Sequence, residues 1–176
     1  MPPFIVDEEV PEKNPFPFEF RQNWNENIEE LYKLDLELFK ENSWEKEEII
    51  SCSKPNSNQF YFTLNPLPSE NSKYPKIISY AGYEVHNCLE TFCEISVLGV
   101  SPEMQGKKIG EFTLLSLLID AYKRGVRVAQ LHVKEDNKIA LNLYIKIGFK
   151  ILSLRSNYYE ISKMMIEMMT VTMMLI

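Results

Sequence analysis

Residues 95–115 read ISVLGVSPEMQGKKIGEFTLL, and the order of residue types along this stretch decides how the rest is read. The first six residues are apolar except for Ser96, and three of them are β-branched, as in a strand. The next ten, SPEMQGKKIG, are polar and hold two glycines. They lead into EFTLLSLLIDAYKRG (111–125), an apolar run closed by Lys-Arg-Gly, which is the composition of a helix C-terminus. The stretch therefore reads strand, glycine-containing loop, helix. A helix N-terminus leaves about four amides unpaired and carries partial positive charge. Glycine lets an anion approach the backbone, and Lys107 and Lys108 add charge beside it. The loop is thus a candidate phosphate site, with an ordinary strand-to-helix turn as its plainer reading. It is not a Walker loop, since no G-x-x-x-x-G-K-[ST] occurs, and it is not a dinucleotide fingerprint.

Working outward, residues 76–86 and 89–100 read as two strands joined at His-Asn-Cys, an antiparallel hairpin. Residues 59–64 (QFYFTL) are aromatic and β-branched, hence a strand, and 65–75 is a loop with three prolines. Before them, Asn25 precedes NIEELYKLDLELF (27–39). There Ile28, Leu31, Tyr32, Asp35, Leu38 and Phe39 recur at helical spacing, apolar except for Asp35. A polar KENS segment, Trp44 and a short helical EKEEII follow. Downstream, 126–134 reads as a strand, and 137–147 as a helix with Ala140, Leu143, Tyr144 and Ile147 on one stripe, stopped by Gly148. Residues 149–155 and about 166–175 give two last strands. Residues 1–22 are Pro-rich and acidic, which predicts an extended N-terminal arm before a domain at 23–176. The pattern is that of a mixed α/β domain.

With 176 residues, 45% hydrophobic and 25% charged, the chain is long enough for a real core and is not disordered overall. The formal net charge is −6, but it is unevenly distributed. Residues 1–50 hold 14 acids and 5 bases; residues 104–150 hold 4 acids and 9 bases. The acidic total therefore does not argue against a polyanionic ligand at the loop. Three cysteines, Cys52, Cys88 and Cys93, are odd in number and not at zinc spacing, so neither a disulfide framework nor a metal site is expected. A reducing, cytoplasmic location fits best, with no transmembrane run and no secretory or transit signature at the N-terminus. Six of the eight methionines fall in 164–174, where a buried last strand is the plain expectation.

GVSPEMQGKKIG (99–110), followed by LHVKEDNKIALNLYIKIGF (131–149), resembles the GNAT superfamily of acetyl-CoA-dependent N-acetyltransferases. The family pattern is V-x-P-x-x-[QR]-x-x-G-x-[GA], then N-x-x-A-x-x-x-Y-x-x-x-G-F. Val100, Pro102, Gln105 and Gly110 match the first part; Asn137, Ala140, Tyr144, Gly148 and Phe149 match the second. Lys108 stands where the family has its first loop glycine. The resemblance implies a mostly antiparallel sheet with one splayed parallel strand pair, flanked by helices, and acetyl-CoA as cofactor. It implies that Leu98, Gly99 and Val100 offer backbone groups to the pantetheine. Gln105, Gly106, Lys107, Lys108, Ile109, Gly110 and Glu111 would surround the pyrophosphate, with Asn137 and Ala140 along the cofactor.

Acetyl transfer needs a deprotonated amine and gains from a proton donor at the leaving sulfur. By resemblance Tyr144 is that donor; otherwise it is a core aromatic on an amphipathic helix. Glu94 matches the base of histone-type enzymes. His132 occupies the position of the base in RimI-like enzymes, a histidine in one eukaryotic N-terminal branch. The two are not exclusive, and a solvated strand residue and a structural histidine are the alternatives. LRSNYYE (154–160) is similar to the tyrosine segment with which RimI-like N-terminal acetyltransferases hold a peptide backbone, which implies Tyr158 and Tyr159 as substrate contacts. Phe39 and Trp44, in FKENSW, resemble the opposite wall. The implied substrate is the α-amine of a peptide or protein N-terminus, with the ribosome or an auxiliary subunit as candidate partners. No direct nucleic acid and no membrane are expected. A GNAT acting on lysine side chains or polyamines, and a non-catalytic acetyl-CoA-binding subunit, stay open at this point.

Overall fold

The structure is a computed structural model that describes residues 4–6, 18–22, 24, 27–54, 58–67, 74–87, 91–156, 164–170 and 173–175. The chain divides into two compact units, one of residues 11–84 and 96–117, the other of 1–10, 85–95 and 118–176. Among the described residues, no helix is long and apolar enough to cross a membrane.

In the first unit, β2 (Phe18–Gln22), β3 (Gln59–Pro66) and β4 (Ser79–Asn87), the last through residues 79–84, form successive antiparallel ladders, Phe18 facing Pro66 and Gln59 facing Glu84. β2 was not foreseen as a strand. Prolines dominate the reading of 1–22, yet Phe18 and Phe20 alternate with Glu19 and Arg21, the period of a half-buried strand. Phe18 is buried, and Phe20 stacks on Phe62 with ring centroids 4.8 Å apart. Helix α1 (Ile28–Phe39) buries Leu31, Leu34 and Asp35. A 3-10 turn at Lys40–Asn42 leads to α2 (Lys46–Cys52), whose start carries a reciprocal capping box between Glu45 and Glu48. The core here holds Trp24, Leu31, Leu34, Ile49, Tyr61, Ile77, Tyr80 and Val97.

In the second unit the strand order is β5-β6-β8-β7, with β5 (Thr91–Val100) entering through residues 91–95, then β6 (Val128–Lys134), β7 (Phe149–Ser156) and β8 (Met164–Thr170). β5 and β6 are parallel, and their ladder runs from Phe92 opposite Val128 to Ile95 opposite Leu131. β6 continues to Lys134, paired on its other edge with β8. Helix α3 (Ile109–Lys123) runs from one unit into the other. It starts two residues before the expected Glu111, because Lys108 already carries the backbone turn that opens it. Helix α4 (Lys138–Ile147) falls where its caps predicted, between Asn137 and Gly148, the latter at φ 104°. The expected last strand at 166–175 divides into β8 and β9 (Met173–Leu175), and β9 pairs in parallel with β1 (Phe4–Val6). Met168 is fully buried, the core role expected of it.

Candidate active site

The candidate anion loop is built between two buried anchors of the first unit. Met104 and Ile109 are 4% and 2% exposed and pack with Phe18, Leu64 and Ile78. The residues they bracket, Gln105, Gly106, Lys107 and Lys108, are exposed. Gly106 has φ 74° and Lys108 φ 62°. A Cβ at Gly106 would meet nothing within 4 Å, so the glycine serves its backbone angle and not a tight fit. Two left-handed residues flanking Lys107, followed at once by a helix N-terminus, suit a concavity of amide donors for a phosphate-type anion. The Gln105 side chain donates to the carbonyl of Val100 at 3.1 Å, which braces the loop on the end of β5. The Lys107 ammonium is turned back onto the Glu103 carbonyl at 2.9 Å.

The second unit brings together both candidate bases. His132 Nδ1 lies 3.2 Å from Glu94 Oε1. The register explains it: Glu94 faces Gln130, so His132 is the next residue on the same face of β6. Both side chains stay partly open to solvent, at 28% and 37%. The other carboxylate oxygen of Glu94 is 3.9 Å from Nε2 of His86, whose ring stacks on Phe92 at 4.9 Å. Tyr144 sits on the inner face of α4, 8% exposed, with its ring 5.7 Å from that of Phe149. Burial pushes its phenol up to about 12, so it holds its proton across any physiological pH. Asn137 uses its side-chain oxygen to cap α4, accepting from the Ala140 amide at 3.1 Å.

The profile of the acetyltransferase (GNAT) family matches residues 22–149. The chain belongs to that family. It is 38% identical over 87 residues to the N-alpha-acetyltransferase RimI of Mycobacterium tuberculosis, which is 49% of this chain and 53% of that protein. It is 28% identical over 89 residues to the ribosomal protein bS18-alanine N-acetyltransferase of Haemophilus ducreyi, 51% of this chain and 61% of that one. The chain thus spans between half and two thirds of the length of these curated relatives. In fold it is similar to the Escherichia coli ribosomal-protein-S18-alanine N-acetyltransferase, with a TM-score of 0.70 at 20% identity over 87% of this chain and 92% of that one. It is also similar to Arabidopsis thaliana NAA60 in complex with acetyl-CoA, with a TM-score of 0.75 at 15% identity over 86% and 97%.

Lys108, which stands where the GNAT pattern has a glycine, has a positive φ, a conformation that glycine adopts at lower cost. Leu98, Gly99, Val100 and Glu111 belong to the first unit with the loop; Gly99 is buried, the others half-buried. Phe39 and Trp44 lie in the same unit, half-buried against the core around Trp24 and Tyr61. Tyr158 and Tyr159 lie outside the described residues. Two residues escaped the sequence reading. In sequence His86 reads only as the end of a strand, although it is one of two histidines in the chain and the other is a candidate base. Asp35 was visible as the one carboxylate on an apolar stripe, and its partners were not.

Proposed function

We propose that this chain transfers an acetyl group from acetyl-CoA to the α-amine of a peptide or protein N-terminus. The observation that carries this reading is the Glu94–His132 contact. A carboxylate only accepts, so its partner nitrogen Nδ1 carries the hydrogen, and the neutral ring presents its lone pair at Nε2. His132 Nε2 then takes the proton of the amine, directly or through a water, and Glu94 stabilises the imidazolium that results. The two candidate bases thus become one unit, with Glu94 as the orienting member. An ordinary α-ammonium titrates near ~8 and a lysine near ~10.4, so deprotonating the lysine costs about 3 kcal/mol more. That difference favours the α-amine.

Bound acetyl-CoA supplies the activated acetyl thioester. The left-handed loop at 105–108 and the first amides of α3 fit its pyrophosphate, and Leu98 and Val100 are the candidate backbone contacts for its pantetheine arm. Burial keeps the Tyr144 phenol protonated. Its hydroxyl is therefore available as the candidate donor at the leaving sulfur, the role the family resemblance implies. The similarity to N-terminal acetyltransferases over half the chain supports the substrate class, and the cytoplasm is the expected compartment.

Two measurements test this. Acetyl-CoA is incubated with a peptide library of random N-termini and the products are read by mass spectrometry; acetylation on lysine side chains alone would sink the α-amine reading. In parallel, pH–rate profiles of His132→Ala and Glu94→Gln are compared with the parent. Both variants should lose turnover, and His132→Ala should also lose the acid limb of kcat/KM.

A further inference from the structure

Asp35 is a buried carboxylate that the proposed chemistry does not use. It is 1% exposed on the inner stripe of α1, beside Leu31 and Leu34. Each of its oxygens has a different partner. Oδ1 accepts from the Tyr80 hydroxyl at 2.5 Å, and Oδ2 accepts from the backbone amide of Trp44 at 2.7 Å. Trp44 is the second residue past the 3-10 turn that follows α1, and its ring leans on Trp24 and Tyr61 at 5.8 and 5.9 Å. Tyr80 reaches in the other direction. Its ring lies flat enough against β5 that a Cβ on Gly99 would be 2.3 Å from Cε1 and 2.6 Å from Cζ. Burial, reinforced by the neighbouring Asp35 carboxylate, drives the Tyr80 phenol far above its ordinary range, so it remains a donor.

A leucine at 35 and a phenylalanine at 80 would fill this space without burying a carboxylate. What apolar side chains cannot do is fix the Trp44 amide and the Tyr80 ring at once. We propose that Asp35 is a positioning residue that ties the candidate peptide wall at Trp44 to the candidate cofactor strand at Gly99, so that specificity for the peptide depends on the same carboxylate that sets the strand. This rests on the functional reading above for the roles of Trp44 and of residues 98–100. The tie itself is independent of that reading, since all four residues lie in one compact unit.

The test uses the full chain with Asp35→Asn and Tyr80→Phe, which keep shape and should fold. Backbone hydrogen exchange is followed at Trp44 and at 98–100, and KM is measured for acetyl-CoA and for the best peptide. Tyr80→Phe removes the hydroxyl that donates to Asp35, and it should speed exchange of the Trp44 amide at least about threefold by loosening that carboxylate. Asp35→Asn should raise both KM values at least about fivefold while kcat stays within about twofold, because the Glu94–His132 pair is untouched. A purely structural Asp35 would lower the melting temperature with both KM values and the Trp44 exchange rate in Tyr80→Phe unchanged, and that result overturns the proposal. If the parent acetylates no amine, the functional reading fails, while the exchange experiment still decides the tie.

Discussion

Replacing Lys108 by glycine separates two things that this residue does. Its φ of 62° places a side chain in the left-handed region, which costs about 1–2 kcal/mol for a residue with a Cβ. Glycine removes that cost but adds about 0.5–1 kcal/mol of unfolded-state entropy. The net for Lys108→Gly is a stabilisation of about 0–1.5 kcal/mol, or up to about 6 °C in melting temperature for a chain of this size. Lys108→Ala keeps the left-handed strain and should show no gain. Both variants delete the same exposed ammonium. If the loop holds a pyrophosphate, both should weaken CoA binding by the same factor, about two- to fivefold at low salt, and the loss should fade as ionic strength rises. Chemical denaturation gives the first comparison and calorimetric titration across a salt series the second. An alanine variant as stable as the glycine variant would refute the conformational reasoning. Unequal losses of CoA affinity would show that the loop's shape, and not only its charge, had been altered.

Other consequences are as definite. Asn137→Ala removes the cap of α4 and should cost about 0.5–2 kcal/mol in unfolding free energy, with Asn137→Ser recovering most of it. Gly99→Ala should lose about 1–3 kcal/mol and be partly rescued when Tyr80 is shortened in the same chain, since the new methyl would collide with that ring. Stability should fall as pH rises through the alkaline range. Burial pushes the Cys93 thiol from 9.0 up to about 12 and the Tyr144 phenol from 10.0 up to about 12. The unfolded chain therefore releases these protons first, and stability present below pH 9 is lost between 9 and 12. Denaturant midpoints of Cys93→Ala should show a flatter slope between pH 9 and 10; an unchanged slope there means the thiol is not the source.

How much of this was legible varied with the reach of each signal. α4 could be read almost to the residue, because Asn137, Gly148 and the stripe between them are local. The polar turn between β5 and α3 was legible for the same reason, with Gly106 at a positive φ. β2 was lost because a rule about proline outweighed a two-residue alternation only five residues long. The Glu94–His132 contact needed the parallel register of β5 on β6, and a strand sequence does not state which residue its neighbour will present. Asp35 shows the same limit within one helix. Its position on the buried stripe could be read from spacing, whereas its donors come from residues 9 and 45 positions away.

Along β5, Cys93, Ile95, Val97 and Gly99 are buried, and Glu94, Leu98 and Val100 take the alternate positions. The strand thereby acts as a ruler with two graduations, one for face and one for length. An insertion of one residue after Glu94 would reverse the faces of Leu98 and Val100 relative to the carboxylate. An insertion of two would restore the alternation and lengthen the strand by about 6.6 Å. No insertion preserves both face and length, so substitution is the change this strand accepts without shifting either graduation.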